Sequence, residues 1–101
     1  MAIPNKVKIG AVTYEVILAE KPILKGNNKA MGCIDFDNST IEVDISTQSP
    51  QMAQQTFLHE LVHGMIQDRQ INLKDDEEAV VNQLANAIHQ VIVDNPDIFK
   101  L

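Results

Sequence analysis

The stretch SPQMAQQTFLHELVHGMIQDRQ, residues 49–70, decides how the chain is read. Ser49 has the side chain of a good helix N-cap, and Pro50 fits the first helical position, where no backbone N–H is needed. Met52, Ala53, Phe57, Leu61, Met65 and Ile66 recur at helical spacing, predicting an amphipathic helix to about Gln70. Within it runs His59-Glu60-Leu61-Val62-His63. Residues four apart stack on one helix face, so both imidazoles can be directed at one ion. Glu60 lies roughly 100° further round, off the ligand pair but beside the ion. From there it can take a proton from a zinc-activated water and pass it to a leaving amine. Imidazole and carboxylate donors suit zinc.

Towards the C-terminus, Ile71 to Lys74 reads as a short connection. A second helix is predicted from near Asp75 to about Asp94, stopped by Pro96 after Asn95, with Val81, Leu84, Ile88 and Val91 as its apolar stripe. Towards the N-terminus the pattern changes period. Val7, Ile9 and Val12 to Leu18 are rich in β-branched residues, with a turn at Gly10-Ala11. Lys21 to Lys29 carries Pro22, Gly26 and Asn27-Asn28 and reads as a solvated loop. Met31 to Phe36 and Thr40 to Ile45 are expected to form a hairpin around Asp37-Asn38-Ser39, since Ile41, Val43 and Ile45 alternate with polar residues. Strands followed by helices define an α+β class. The expected architecture is a small antiparallel sheet with a hairpin, then two helices carrying a zincin-like metal site, in one domain over residues 1–101.

Bulk properties narrow the partners. A net charge of −6 repels phosphate backbones, so no nucleic-acid partner is expected. Cys33 is the only cysteine, which rules out an internal disulfide and a thiolate-rich metal cluster. A buried place in a strand is expected for it. The first residues contain no apolar run of signal-peptide length, and no segment approaches a membrane span; the expectation is a cytoplasmic protein with no membrane partner.

The third metal ligand is sought on the second helix, among Glu77, Glu78 and His89. His89 lies nearly three turns beyond Glu78, roughly 16 Å along the axis, and is expected as a surface or hydrogen-bonded residue. Asn82 shares a face with Glu78, so Glu78 could bind the ion while Asn82 hydrogen-bonds a ligand imidazole. Against this, Asp75-Asp76-Glu77-Glu78 also reads as a capping box, with Asp75 as N-cap and Glu78 at N3. Glu77 lies nearer the centre of the apolar stripe. The residues alone leave Glu78, Glu77 or neither open. A longer metzincin pattern would need Gly at 66 and His at 69, where the chain has Ile66 and Arg69. Met52 and Met65 are expected in the core, and Gly64 either lets helix and sheet approach or serves the site.

Phe57-Leu58-His59-Glu60-Leu61-Val62-His63 followed by Glu78-Ala79-Val80-Val81-Asn82-Gln83-Leu84-Ala85 resembles the ImmA/IrrE-like metallopeptidases, above all their short relatives in phages and mobile elements. The resemblance covers roughly Met31 to Pro96 and implies a gluzincin-like site. His59, His63 and Glu78 would be the ligands, Glu60 the general base and Asn82 an outer partner. It also implies that a strand near the site pairs with an extended substrate peptide, for which Thr40 to Ile45 is the candidate. Larger members often accompany a DNA-binding domain; none is expected within this acidic stretch of 101 residues. No oxyanion-stabilising Tyr or His is evident, Tyr14 being the only tyrosine. The expected function is a zinc-dependent metallopeptidase with Glu60 as base. The alternatives are a zinc-binding, non-catalytic interaction module that uses a protease-like groove, and a small structural protein without metal.

Overall fold

Gly10, at φ +60°, supplies the left-handed residue that folds β1 (Lys6–Ile9) back onto β2 (Val12–Ala19). In the computed structural model, which describes residues 1–100, six strands precede two helices: β3 (Ile23–Lys25), β4 (Asn28–Ala30), β5 (Gly32–Asp35), β6 (Thr40–Asp44), α1 (Pro50–Arg69) and α2 (Glu77–Asp94). The α+β class stands. The β5–β6 hairpin forms as expected, its turn held by the Asp35 carboxylate, which accepts from the backbone N–H groups of Asp37 and Asn38 and from Asn38 Nδ2.

The sheet departs from expectation in three ways. Its order is β1-β2-β6-β5, and β2 pairs with β6 in parallel, so it is mixed rather than antiparallel. Alternation reveals which face a strand buries but not its direction, and the long connection from β2 to β6 allows a crossover. Second, β6 is an interior strand with neighbours on both sides. Thr40–Ile45 therefore offers no free edge to a peptide; the edge strand on the hairpin side is β5, and β1 is the edge on the other. Third, the expected loop over 21–29 contains a two-stranded ribbon, β3–β4, folded about Gly26 and touching β6.

One sheet face carries Ile41 and Val43, both fully buried beneath α1. Ser49 Oγ caps α1 by accepting from the Met52 N–H at 3.2 Å, and Gln70 ends it in the left-handed conformation. The entry to α1 is fixed by Asp44, 2% exposed, whose carboxylate accepts from Ser46 N, Ser46 Oγ and Thr47 Oγ1. Those hydroxyl donors hold its pKa below the ordinary carboxylate value, against the opposing effect of burial. Ala53, Phe57, Leu58, Glu60, Val62, Gly64 and Ile66 form the buried face of α1. Gly64 is there for packing: a Cβ would stand 2.6 Å from Ile9 Cδ1 and 3.1 Å from Ile34 Cδ1. Met52 and Met65 lie outside the core, on the exposed side of the helix.

Helix α2 starts one residue later than the capping-box expectation. Asp76, not Asp75, is the N-cap, accepting from the Glu78 N–H at 3.1 Å. Its buried row is Val81, Ala85 and His89, with Ile88 and Ile92 packed against the core, whereas Leu84 and Val91 are 45% and 43% exposed. The rotation accommodates His89, whose Nε2 meets Gln54 Oε1 of α1 at 3.0 Å, so a polar ring can be buried without loss of its hydrogen bond. No helix among the described residues is long and apolar enough to cross a membrane.

Candidate metal centre

Because α1 is anchored on the sheet, His59 and His63 are presented one turn apart towards the N-terminus of α2. Their Nε2 atoms lie 3.1 Å apart. Glu78, in the first turn of α2, spans both rings with its carboxylate: Oε2 is 3.2 Å from His59 Nε2, and Oε1 is 2.6 Å from His63 Nε2. A tetrahedral ion with bonds of about 2.0–2.1 Å requires ligand separations of about 3.3–3.4 Å. The His59–His63 and His59–Glu78 distances are close to that value, while Glu78 meets His63 through its other oxygen at hydrogen-bond distance. The three side chains form a group able to hold a metal ion.

Glu77 explains the orientation of His63. Its Oε2 lies 2.7 Å from His63 Nδ1, placing the ring proton on Nδ1 and turning the Nε2 lone pair towards His59 and Glu78. Nε2 and the Glu78 carboxylate then face each other as two acceptors, an arrangement that calls for a proton or a metal cation between them. Glu77, weighed above as a competing ligand, thus faces the far side of the ring. Asn82 lines the cavity beside His59; the imidazole partner seen on the outer side is Glu77.

Glu60 projects from the buried side of α1 and is 8% exposed. Burial pushes its pKa above the ordinary glutamate value, opposed by the neighbouring imidazoles and Lys25 and reinforced by Glu78. It is pressed against the edge strand: a Cβ on Gly32 would fall 3.2 Å from Glu60 Oε2 and 2.6 Å from Thr56 Cγ2. Only glycine lets β5 pass so close to the carboxylate. The register sets what β5 offers outward. Asp44 N–H donates to Met31 O, and antiparallel pairing alternates, so Gly32 and Ile34 direct their N–H and C=O away from β6. An unpaired strand edge thus runs beside the His59–Glu60 turn.

Tyr14 is buried in the core from β2, and His89 is bound to Gln54, so neither stands at the centre. Lys25, from the ribbon that sequence reading took for solvated loop, lines the cleft together with Cys33, a partly buried strand residue. Nothing in its local pattern singled Lys25 out, because its position depends on how the ribbon folds over β6.

No protein-family model, curated protein or solved structure matches the chain. What the centre can do chemically follows from its own atoms: three side chains that could hold a metal ion, a buried carboxylate beside them, and outward backbone groups on a strand edge.

Proposed function

We propose that this protein is a metal-dependent hydrolase of the HExxH type and, more specifically, a zinc metallopeptidase acting on extended peptides. The observation that carries this is the convergence of His59 Nε2, His63 Nε2 and the Glu78 carboxylate beside the buried Glu60. The motif's resemblance to ImmA/IrrE-like peptidases points the same way. When bound, zinc would supply Lewis acidity to a water and to the scissile carbonyl. Glu60 takes the proton from the attacking water at its carboxylate and delivers it to the departing amine, for which its buried place beside His59 and His63 suits it. Glu77 holds the His63 ring in the ligating tautomer. The outward N–H and C=O groups of Gly32 and Ile34 pair with the substrate backbone, which moves the peptide-binding edge from the expected Thr40–Ile45 strand to β5.

Purified protein should contain about one zinc per chain by elemental analysis. Glu60→Gln should keep that zinc and lower peptide cleavage by about 10²–10⁴-fold. Persistent absence of metal under zinc-replete conditions would overturn the proposal. A second reading, a zinc-binding interaction module without hydrolysis, is favoured by one observation: neither Tyr14 nor His89 is placed to stabilise an oxyanion. Under that reading Glu60→Gln retains its zinc and its full biological effect.

A further inference from the structure

Two cavities meet at the centre and share Gly32, His59 and Glu60 as a common wall. They differ in chemistry. The first, about 320 Å³, is lined beyond that wall mainly by Met31, Met52 and the amide side chains of Gln48, Gln55, Asn82 and Asn86. It contains no Lys or Arg, and its one carboxylate is Glu60. Its volume is about twice that of a 150 Å³ cavity able to take benzene, enough for a long side chain. Two methionines give it adaptable apolar walls, and the amides can satisfy a neutral polar end. An acidic side chain entering here would meet Glu60 with no Lys or Arg to pair with it.

The second cavity, about 330 Å³, holds the centre's cation. Lys25 is its only Lys or Arg and shares its walls with Cys33, Ile34 and Phe36, along with Glu60 and the candidate ligand Glu78, whose charge a bound dication would offset. The ammonium lies beside the Cys33 thiol, and among the described residues it forms no ion pair. Asp35, a nearby carboxylate on β5, is occupied in capping its own turn. Cys33 beside it, with the charges of Glu60 and Asp35, raises the Lys25 pKa against slight desolvation, so the amine is a permanent cation at neutral pH. In a chain of net charge −6, Lys25 is the one Lys or Arg lining either cavity, located where a peptide on the β5 edge would pass.

We infer that the cleft sorts its substrate by charge: it takes a peptide with an acidic side chain on the Lys25 side of the cut and a long uncharged side chain, such as Met or Gln, in the amide-lined cavity on the other. The inference rests on the peptidase reading and adds to it the class of peptide.

The test uses the zinc-loaded full chain and peptides acetylated and amidated at their ends, so that side chains alone carry charge. Cut sites in a randomised library should show Asp or Glu preferred over Lys by about tenfold on one side. On the other side Met, Gln or Leu should be preferred and acidic residues rejected. Lys25→Glu should invert the first preference and leave the second unchanged. Asn86→Lys, on an exposed turn of α2, should admit acidic residues at the second. Cutting without charge preference, or an unaltered preference in Lys25→Glu, overturns the inference. If nothing is cut, binding decides. Acetyl-Ala-Glu-Met-Ala-amide and its order-reversed isomer are titrated against their Lys-for-Glu counterparts, with the resonances of Lys25, Met31, Met52 and Asn86 followed by NMR. A preference of about tenfold for a Glu peptide, lost in Lys25→Glu, keeps the charge sorting and overturns hydrolysis. Equal binding, or none, overturns the sorting itself.

Discussion

The two helices contribute to one centre from different mechanical positions. Helix α1 buries seven residues and rests on β5 and β6, with a capped start and a defined left-handed end. Helix α2 buries three, packs chiefly on α1 and leaves Leu84, Val91 and Val93 in solvent. Two of the candidate ligands and the buried carboxylate come from the first helix; the third ligand and the carboxylate that orients His63 come from the second. The half that carries the buried carboxylate is thus built into the core. The half that closes the site is docked onto it, and its first turn is held by the imidazoles as much as by apolar contact.

The contrast can be broken at several levels. The largest effect is expected from Phe57→Ala in α1, which should lower stability by about 3–5 kcal/mol in urea unfolding because a buried ring leaves a cavity. A loss below about 1 kcal/mol would mean that α1 is not the anchored element. Next comes Glu77→Gln on α2, expected to weaken zinc affinity by about 10–100-fold in competition with a chelator while leaving the unfolding midpoint of the metal-free protein nearly unchanged. Unchanged affinity would remove Glu77 from the centre. The smallest effect belongs to Leu84→Ala, on the solvent side of α2, which should stay within about 0.5 kcal/mol of the parent. A loss of 2 kcal/mol or more there would show that α2 is covered in solution.

The same contrast marks how far the sequence could be read. The bounds of α1, its Ser49 cap and the β5–β6 hairpin were legible because periodicity, cap chemistry and turn residues act within a few positions. The pairing of His59 with His63 follows from the helical repeat, and Glu78 does lie against both. Features settled by distant partners were not legible. The direction of the β2–β6 pair, the interior place of β6 and the ribbon inside the 21–29 segment all depend on which strand docks where. The buried face of α2 is not legible either, because Leu84 and Val91 are more apolar than Ala85 and His89, yet the latter pair is buried. Small size at Ala85 and a hydrogen bond from His89 to Gln54 outweigh hydrophobicity at that contact. Glu77 was weighed only as a rival ligand; its contact with the outer nitrogen of His63 depends on where the start of α2 falls.

The open edge of β5 has one more consequence. A row of unpaired backbone groups is complementary to the same row on another molecule, so self-association is the standing hazard of an open edge. The strand is four residues long, ends in the charged Asp35 and is flanked by Lys25 from the neighbouring ribbon. Shortness and charge are the usual defences of strand edges that cannot be covered, and here covering the edge would close the cleft.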